Sequence, residues 1–214
     1  MDVPFVNDLK RMRTIILANG QFPVHNIPLR HLHEAEMIIC CDGAVEKLIT
    51  HGFEPDAIIG DLDSVTQATK DRYRIIMYHD PDQETNDLTK AVRWCVSQGV
   101  KEVGIIGATG LREDHTIANI SLLAEYCLEL RVMLFTDHGK FEAFTSPFSI
   151  GSYPGQQVSI FSIDPETQIT SHGLRYPLYG LQLTNWWRGT LNEALGDHFS
   201  IQFEKGRVIV FSQY

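Results

Sequence analysis

Between Thr14 and Phe135 the chain sets short apolar runs, without polar alternation, between stretches of helical spacing. The runs are Thr14–Ala18 (TIILA), Met37–Cys41 (MIICC), Ala57–Gly60 (AIIG), Ile75–Tyr78 (IIMY), Val103–Gly107 (VGIIG) and Val132–Phe135 (VMLF). A strand with one wet face must alternate, whereas one covered on both faces need not, so these runs predict a parallel sheet between helical layers. Leu88, Ala91, Val92, Cys95 and Val96 recur at helical spacing, and Gly99 supplies a stop. A second helix is predicted from about Asp114 to Glu129, with Ile117, Ile120, Leu123, Ala124 and Cys127 along one side. The alternation of strand and helix predicts an open, doubly wound, mostly parallel α/β layer with helices on both faces.

After Thr136 the period changes. FEAF, FSI, QVSIFSI, TQITS, FSIQF and VIVF are short, often alternating, and divided by Pro, Gly, Asp and Ser turns. They predict a small antiparallel β-sandwich. Two domains are expected, an α/β domain over residues 1–138 and a β-sandwich domain over 139–214, with no internal repeat.

Charge and composition narrow the function. With 18 Lys and Arg against 27 Asp and Glu, the formal charge is −9. An acidic surface repels phosphate backbones and anionic lipid, which argues against a general nucleic-acid or membrane binder. A phosphorylated ligand would need a divalent cation beside it. The segment MDVPFVNDLKRMR lacks the basic flank and hydrophobic stretch of a signal peptide, and no window nears the roughly 18 apolar residues of a membrane helix. A cytoplasmic location is the expectation. Cys40, Cys41, Cys95 and Cys127 have no C-x-x-C spacing and read as buried thiols.

In a parallel sheet, ligands bind beyond the carboxyl ends of the strands. Acids gather there: Asp42 follows MIICC, Asp61 and Asp63 follow AIIG, and Asp82, Gln83, Glu84 and Asp87 precede the next helix. Asp61 and Asp63 are two apart, so an extended segment points both carboxylates one way and a turn brings them closer. Two oxygen ligands so placed suit Mg²⁺, which is otherwise met by water and phosphate oxygens. A single Asp after a strand is most simply a turn or cap residue. Three strand ends all carrying Asp exceed what turns require, since Asn, Ser and Gly serve them equally well.

The stretch GATGLREDHTIAN (Gly107–Asn119) lies at a strand–helix junction. Gly107 and Gly110 would let backbone approach a phosphate, the helix start offers unpaired N–H groups, and Arg112 adds a planar fork for phosphate oxygens. The bland alternative is a tight turn with Asp114 as helix cap. His115, alone in a first helical turn, reads more simply as structural. Lys90, three residues after Asp87, reads as a solvated ion pair or as a phosphate neutraliser. Trp186 and Trp187, in a turn-rich segment, offer flat faces to a planar or cationic ring, with core packing as the competing role.

IGDLDS, DQETNDLTKA, GATGLREDHTIAN and SHGLRYPL…GTLNE…GRVIV stand in the order and approximate spacing of the thiamine pyrophosphokinase family, which the chain resembles over nearly its whole length. The resemblance implies a nucleotide-binding α/β domain, a β-sandwich, and a homodimer with thiamine sites between subunits. It implies transfer of the pyrophosphoryl group of ATP to the hydroxyethyl oxygen of thiamine, giving thiamine diphosphate and AMP. By the same resemblance Asp42, Asp61, Asp63, Gln83 and Asp87 surround Mg²⁺ and the triphosphate, with Ser64 and Lys90 nearby. Asp61, Asp63 and Asp87 are the implied magnesium ligands and the catalytic acids. Arg112, Asp114 and His115 match a run beside the nucleotide, and Asn192 matches an Asn near thiamine, with Trp186 or Trp187 as ring partner. The sequence departs from the family pattern in three places. Leu111 replaces a Gly, Asn86 a Thr, and Leu191 a Ser.

Two other readings fit parts of the sequence. Asp61–Val65 also matches D-x-D-x-[TV], the start of haloacid-dehalogenase-type phosphatases, in which the first Asp is a covalent nucleophile. A non-catalytic sensor of a nucleotide or vitamin would have the same domain order.

Overall fold

The computed structural model describes residues 5–6 and 11–214; most of the amino-terminal segment read above for a leader lies outside them. Two compact units divide the chain. One comprises Arg11–Leu122 with Glu129–Asp137, the other His138–Tyr214 with Leu123–Leu128 and the short strand β1 (Phe5–Val6).

The first unit runs β2 (Thr14–Leu17), α1 (Asn26–His33), β3 (Met37–Cys41), α2 (Ala44–Thr50), β4 (Ala57–Gly60), α3 (Gln67–Tyr73), β5 (Met77–His79), α4 (Asp87–Ser97), β6 (Glu102–Ile106), α5 (Glu113–Tyr126) and β7 (Arg131–Phe135). Its strands are parallel in the order β7-β6-β2-β3-β4-β5. The unbroken apolar runs become strands because both faces are covered. Ile15, Ile16, Leu17, Ile39, Ile58, Ile105 and Ile106 have no more than 0% exposure, each side chain contributing roughly 1.5–3 kcal/mol of burial. α4 begins at Asn86, whose side chain accepts the Thr89 N–H, and ends before Gly99 at φ 77°.

Two expectations are corrected. IIMY is not one buried strand: Arg74–Ile76 forms a 3-10 turn and only Met77–His79 pairs, at the sheet edge. Ile75 is 94% exposed, because an edge strand has one neighbour and imposes no cover on the residues leading into it. On α5, Leu123 and Ala124 are buried but Ile117 is exposed, so the buried stripe covers only the end of that helix.

The second unit is a β-sandwich of two sheets. One is antiparallel, β13 (Asn192–Glu193), β10 (Gln157–Ser162), β15 (Val208–Gln213) and β8 (Gly139–Phe144). The other orders β1, β9 (Phe148–Gly151), β14 (His198–Gln202), β11 (Gln168–His172) and β12 (Leu181–Gln182). Alternate residues point inward, as the two-residue period requires. Val158, Ile160, Val208 and Val210 from one sheet meet Phe148, Ile150, Ile169, Phe199 and Ile201 from the other.

Candidate active site

The connections leaving β2 and β6 run to opposite sides of the sheet, which makes the gap beyond their carboxyl ends a topological switch point. A cavity of about 600 Å³ opens there, lined by Asn19 and Gly20 after β2, Asp42 after β3, Asp61, Asp63 and Ser64 after β4, Thr109 and Arg112 after β6, and Asp87 and His115 from the first turns of α4 and α5. The loops after β2 and β6 are laced together: the Ala18, Gly20 and Gln21 N–H groups donate to Ile106, Gly107 and Thr109 carbonyls at 2.9, 2.6 and 2.8 Å. Gly107, at φ 66°, lets this happen, since a Cβ there would lie 2.8 Å from the Ala18 carbonyl. The two glycines therefore serve loop-to-loop packing; a Cβ on Gly110 would meet the Gln21 side chain at 2.6 Å.

Three acids converge. Asp42 is 4% exposed at φ 42°, a left-handed conformation, and its N–H donates to the Ile59 carbonyl at 2.8 Å. Leu62, at φ 64°, bends the next loop so that the Asp63 N–H reaches Asp61 Oδ1 at 3.2 Å. The extended spacing of that pair is thereby closed into a turn. One carboxylate oxygen from each of Asp42, Asp61 and Asp63 lies within 4.8 Å of the others. Ser64 Oγ donates to Asp63 at 2.9 Å, and Gln83 Nε2 reaches Asp61 at 3.4 Å. The Asp63 N–H holds the Asp61 carboxyl below its usual range. Asp82, by contrast, is spent locally, accepting from the Glu84 N–H and the Thr85 hydroxyl.

Asp87 borders the same cavity but is not one of the converging three. Its carboxylate accepts from Lys90 Nζ at 3.2 Å, and burial raises its affinity for a proton. Lys90 is 3% exposed while Asp87 is partly exposed, so the expected solvated ion pair has its lysine end buried: α4 turns the face carrying Lys90 inward with Leu88, Ala91 and Cys95.

Arg112 and Asp114 face each other in a two-point pair at 3.0 and 2.5 Å, which drops the Asp114 carboxyl to about 2. Asp114 lies inside the first turn of α5 and is not its cap. Leu111, where the family pattern has a Gly, is 62% exposed on the cavity wall.

Asn192, Trp186 and Trp187 lie in the β unit. Asn192 is buried, its Oδ1 accepting from the Tyr176 and Glu193 N–H groups at 3.0 and 2.9 Å and its Nδ2 donating to the Tyr176 carbonyl at 2.7 Å. Preceding Leu191 adopts φ 59° and is exposed. Trp186 packs edge-on against Phe161 at 5.9 Å, whereas Trp187 is 74% exposed. Asn19, Thr109 and Asn119 also line the cavity, and sequence reading passed over them. Asn19 follows the β2 run directly, so the strand-end rule applied to β2 would have found it.

The donors suit a hard divalent cation. All three converging groups offer carboxylate oxygen, and Asp42 Oδ1 is buried without a hydrogen-bond partner among the described residues. A parallel sheet with such an acidic cluster at the ends of β3 and β4, joined in sequence to a β-sandwich, defines an α/β-plus-β protein with a candidate cation site. Residues 29–135 match the thiamin pyrophosphokinase catalytic domain and residues 139–211 the thiamin pyrophosphokinase substrate-binding domain. The chain belongs to the thiamin pyrophosphokinase family. It is 26% identical to thiamine pyrophosphokinase of Bacillus subtilis over 93% of this chain and 98% of that one. It is 30% identical to thiamin pyrophosphokinase 1 of Caenorhabditis elegans over a segment covering 44% of this chain and 42% of that one. Two solved structures share the fold: thiamine pyrophosphokinase from Bacillus subtilis (TM-score 0.78, 23% identity, 94% and 98% coverage) and thiamin pyrophosphokinase from Candida albicans (TM-score 0.77, 15% identity, 99% and 93% coverage).

Proposed function

We propose that the protein transfers the pyrophosphoryl group of ATP to the hydroxyethyl oxygen of thiamine, releasing AMP, with Mg²⁺ required. The convergence of Asp42, Asp61 and Asp63 at the ends of β3 and β4, within the cavity that reaches the switch point, carries this reading. Such transfers ask a protein chiefly to align the attacking hydroxyl and to offset charge on the phosphate oxygens. Bound Mg²⁺ would supply that offset, and Asp42, Asp61 and Asp63 would hold it, with Asp87 beside them. Gln83 and Ser64 orient the acids they touch. Arg112 and His115 stand on the cavity wall for the nucleotide, with Asp114 holding the Arg112 fork. Lys90 keeps Asp87 in place. The hydroxyl releases one proton, and Asp63 and Asp87 are the two acceptors to test, by turnover of their Asn variants with metal still bound.

Trp187, with its open face, is the stronger candidate of the two tryptophans for the thiamine ring. Asn192 shapes the surrounding turn. A homodimer with thiamine sites between subunits and a cytoplasmic location belong to the same proposal. No helix among the described residues is long and apolar enough to cross a membrane.

The test incubates the protein with thiamine, ATP and Mg²⁺ and follows AMP and thiamine diphosphate. AMP formed in step with thiamine loss supports the reading. Binding without AMP leaves a sensor, and a trapped phosphoaspartate on Asp61 marks a phosphatase.

A further inference from the structure

We infer that Lys47 is a positioning residue for the nucleotide side of the cavity, acting through the backbone of Asn19 and Gly20. The inference rests on the reading of that cavity as a nucleotide site. Helix α2 starts directly after Asp42 and Gly43, and its Lys47 sends one ammonium to two consecutive carbonyls, Asn19 O at 2.9 Å and Gly20 O at 2.6 Å. A trans peptide points its C=O and N–H in opposite directions. The N–H partners of those carbonyls belong to Gly20 and Gln21, and they donate to the Gly107 and Thr109 carbonyls. Both peptide planes are thus pinned on both edges, by Lys47 on one side and the loop after β6 on the other.

The residues so pinned line the cavity, whereas Lys47 does not. Partial burial holds its ammonium below the usual lysine range, so the contact takes place out of full solvent. The neighbouring side chain works in the other direction: Glu46 accepts the Thr66 N–H at 2.9 Å, at the end of the loop that carries Asp61 and Asp63. Adjacent residues of one helix therefore hold the loops on either side of Asp42. Without Lys47, two carbonyls lose a charged donor and the Asn19–Gly20 wall is held through its N–H edges alone.

The experiment compares Lys47→Met, Lys47→Arg and the parent by calorimetric binding of a non-hydrolysable ATP analogue with Mg²⁺, by Mn²⁺ binding without nucleotide, and by melting. Lys47→Met is expected to weaken analogue binding about tenfold while leaving Mn²⁺ affinity at the parent value, and Lys47→Arg, which keeps the charge and several N–H donors, to recover most of the loss. In steady state the loss enters KM for ATP and not KM for thiamine. Parent-like analogue binding in Lys47→Met overturns the inference. So does an equal fall in Mn²⁺ and analogue binding that Arg fails to rescue, which marks a general folding role. A parent that binds the analogue but makes no AMP refutes the proposed reaction and leaves the Lys47 comparison standing; a parent that binds no nucleotide refutes both.

Discussion

Replacing Asp42 with Asn separates metal binding from folding. The backbone accepts the change, since φ 42° lies where Asn is tolerated, and the side chain keeps its shape. What changes is charge. In the metal-free protein three carboxylate oxygens lie within 4.8 Å of one another. Two unit charges at that distance repel by about 0.9 kcal/mol in bulk water and about 3.5 kcal/mol at an effective dielectric of 20. Asp42→Asn removes two such pairs. Asp63 is exposed and Asp61 partly so, which puts the relief near the low end, about 1–2 kcal/mol in total. In chelator the variant should therefore melt about 2–8 °C above the parent. Saturating Mg²⁺ should then reverse the order, because the parent gains about 2.7 kcal/mol at a hundredfold excess over its Kd while the variant gains little. Paired melting curves in chelator and in Mg²⁺ decide it. A variant less stable than the parent in chelator, or one that Mg²⁺ stabilises as strongly as the parent, would refute the reasoning.

Further outcomes follow from single contacts. Gly60→Ala places a Cβ 2.9 Å from Asp42 Cβ and 3.2 Å from Asp87 Oδ1, so it should displace both acids and cut Mg²⁺-dependent turnover by about a hundredfold; parent-like turnover would mean the loop yields freely. Asn192→Ala orphans two backbone N–H groups and a carbonyl, and should cost about 2–3 kcal/mol, read as a lower urea midpoint at unchanged slope. An unchanged midpoint with a raised KM for thiamine would instead make the amide a ligand contact. Asp164 is held below the usual carboxylate range by its two-point contact with Arg207. A depressed folded pKa contributes stability that is complete above the unfolded value near 4 and is lost as pH falls through the folded one. Asp164→Asn should therefore lower stability by about 0.5–1 kcal/mol at neutral pH, the pair being about a third exposed. The gap between variant and parent should close in acid; a gap independent of pH would show that packing, not charge, is at work.

The fold could be read from the sequence where burial dictates it. MIICC and AIIG form strands over the expected residues because every position faces apolar neighbours. IIMY misled because apolar content signals cover only when cover is present, and β5 sits at an edge. The site was legible as a neighbourhood: strand-end position alone brought Asp42, Asp61, Asp63 and Asp87 to one cavity. Which of them converge was not legible, because that depends on left-handed turns at Asp42 and Leu62; Asp tolerates such backbone without requiring it, and Leu gives no sign of it. Lys90 looked solvated because an i,i+3 pair is equally compatible with either face of an amphipathic helix. Lys47 escaped notice for a related reason: its partners are main-chain carbonyls almost thirty residues away, and backbone acceptors leave no mark in a sequence.

In the proposed mechanism three carboxylates share one cation next to a nucleotide. Crystals grown with Mn²⁺ and a non-hydrolysable ATP analogue, measured for anomalous scattering, test it most directly. The expected peak is bonded to Asp42, Asp61 and Asp63 and to analogue phosphate oxygens. A peak elsewhere, or nucleotide bound with these three side chains unengaged, would contradict it.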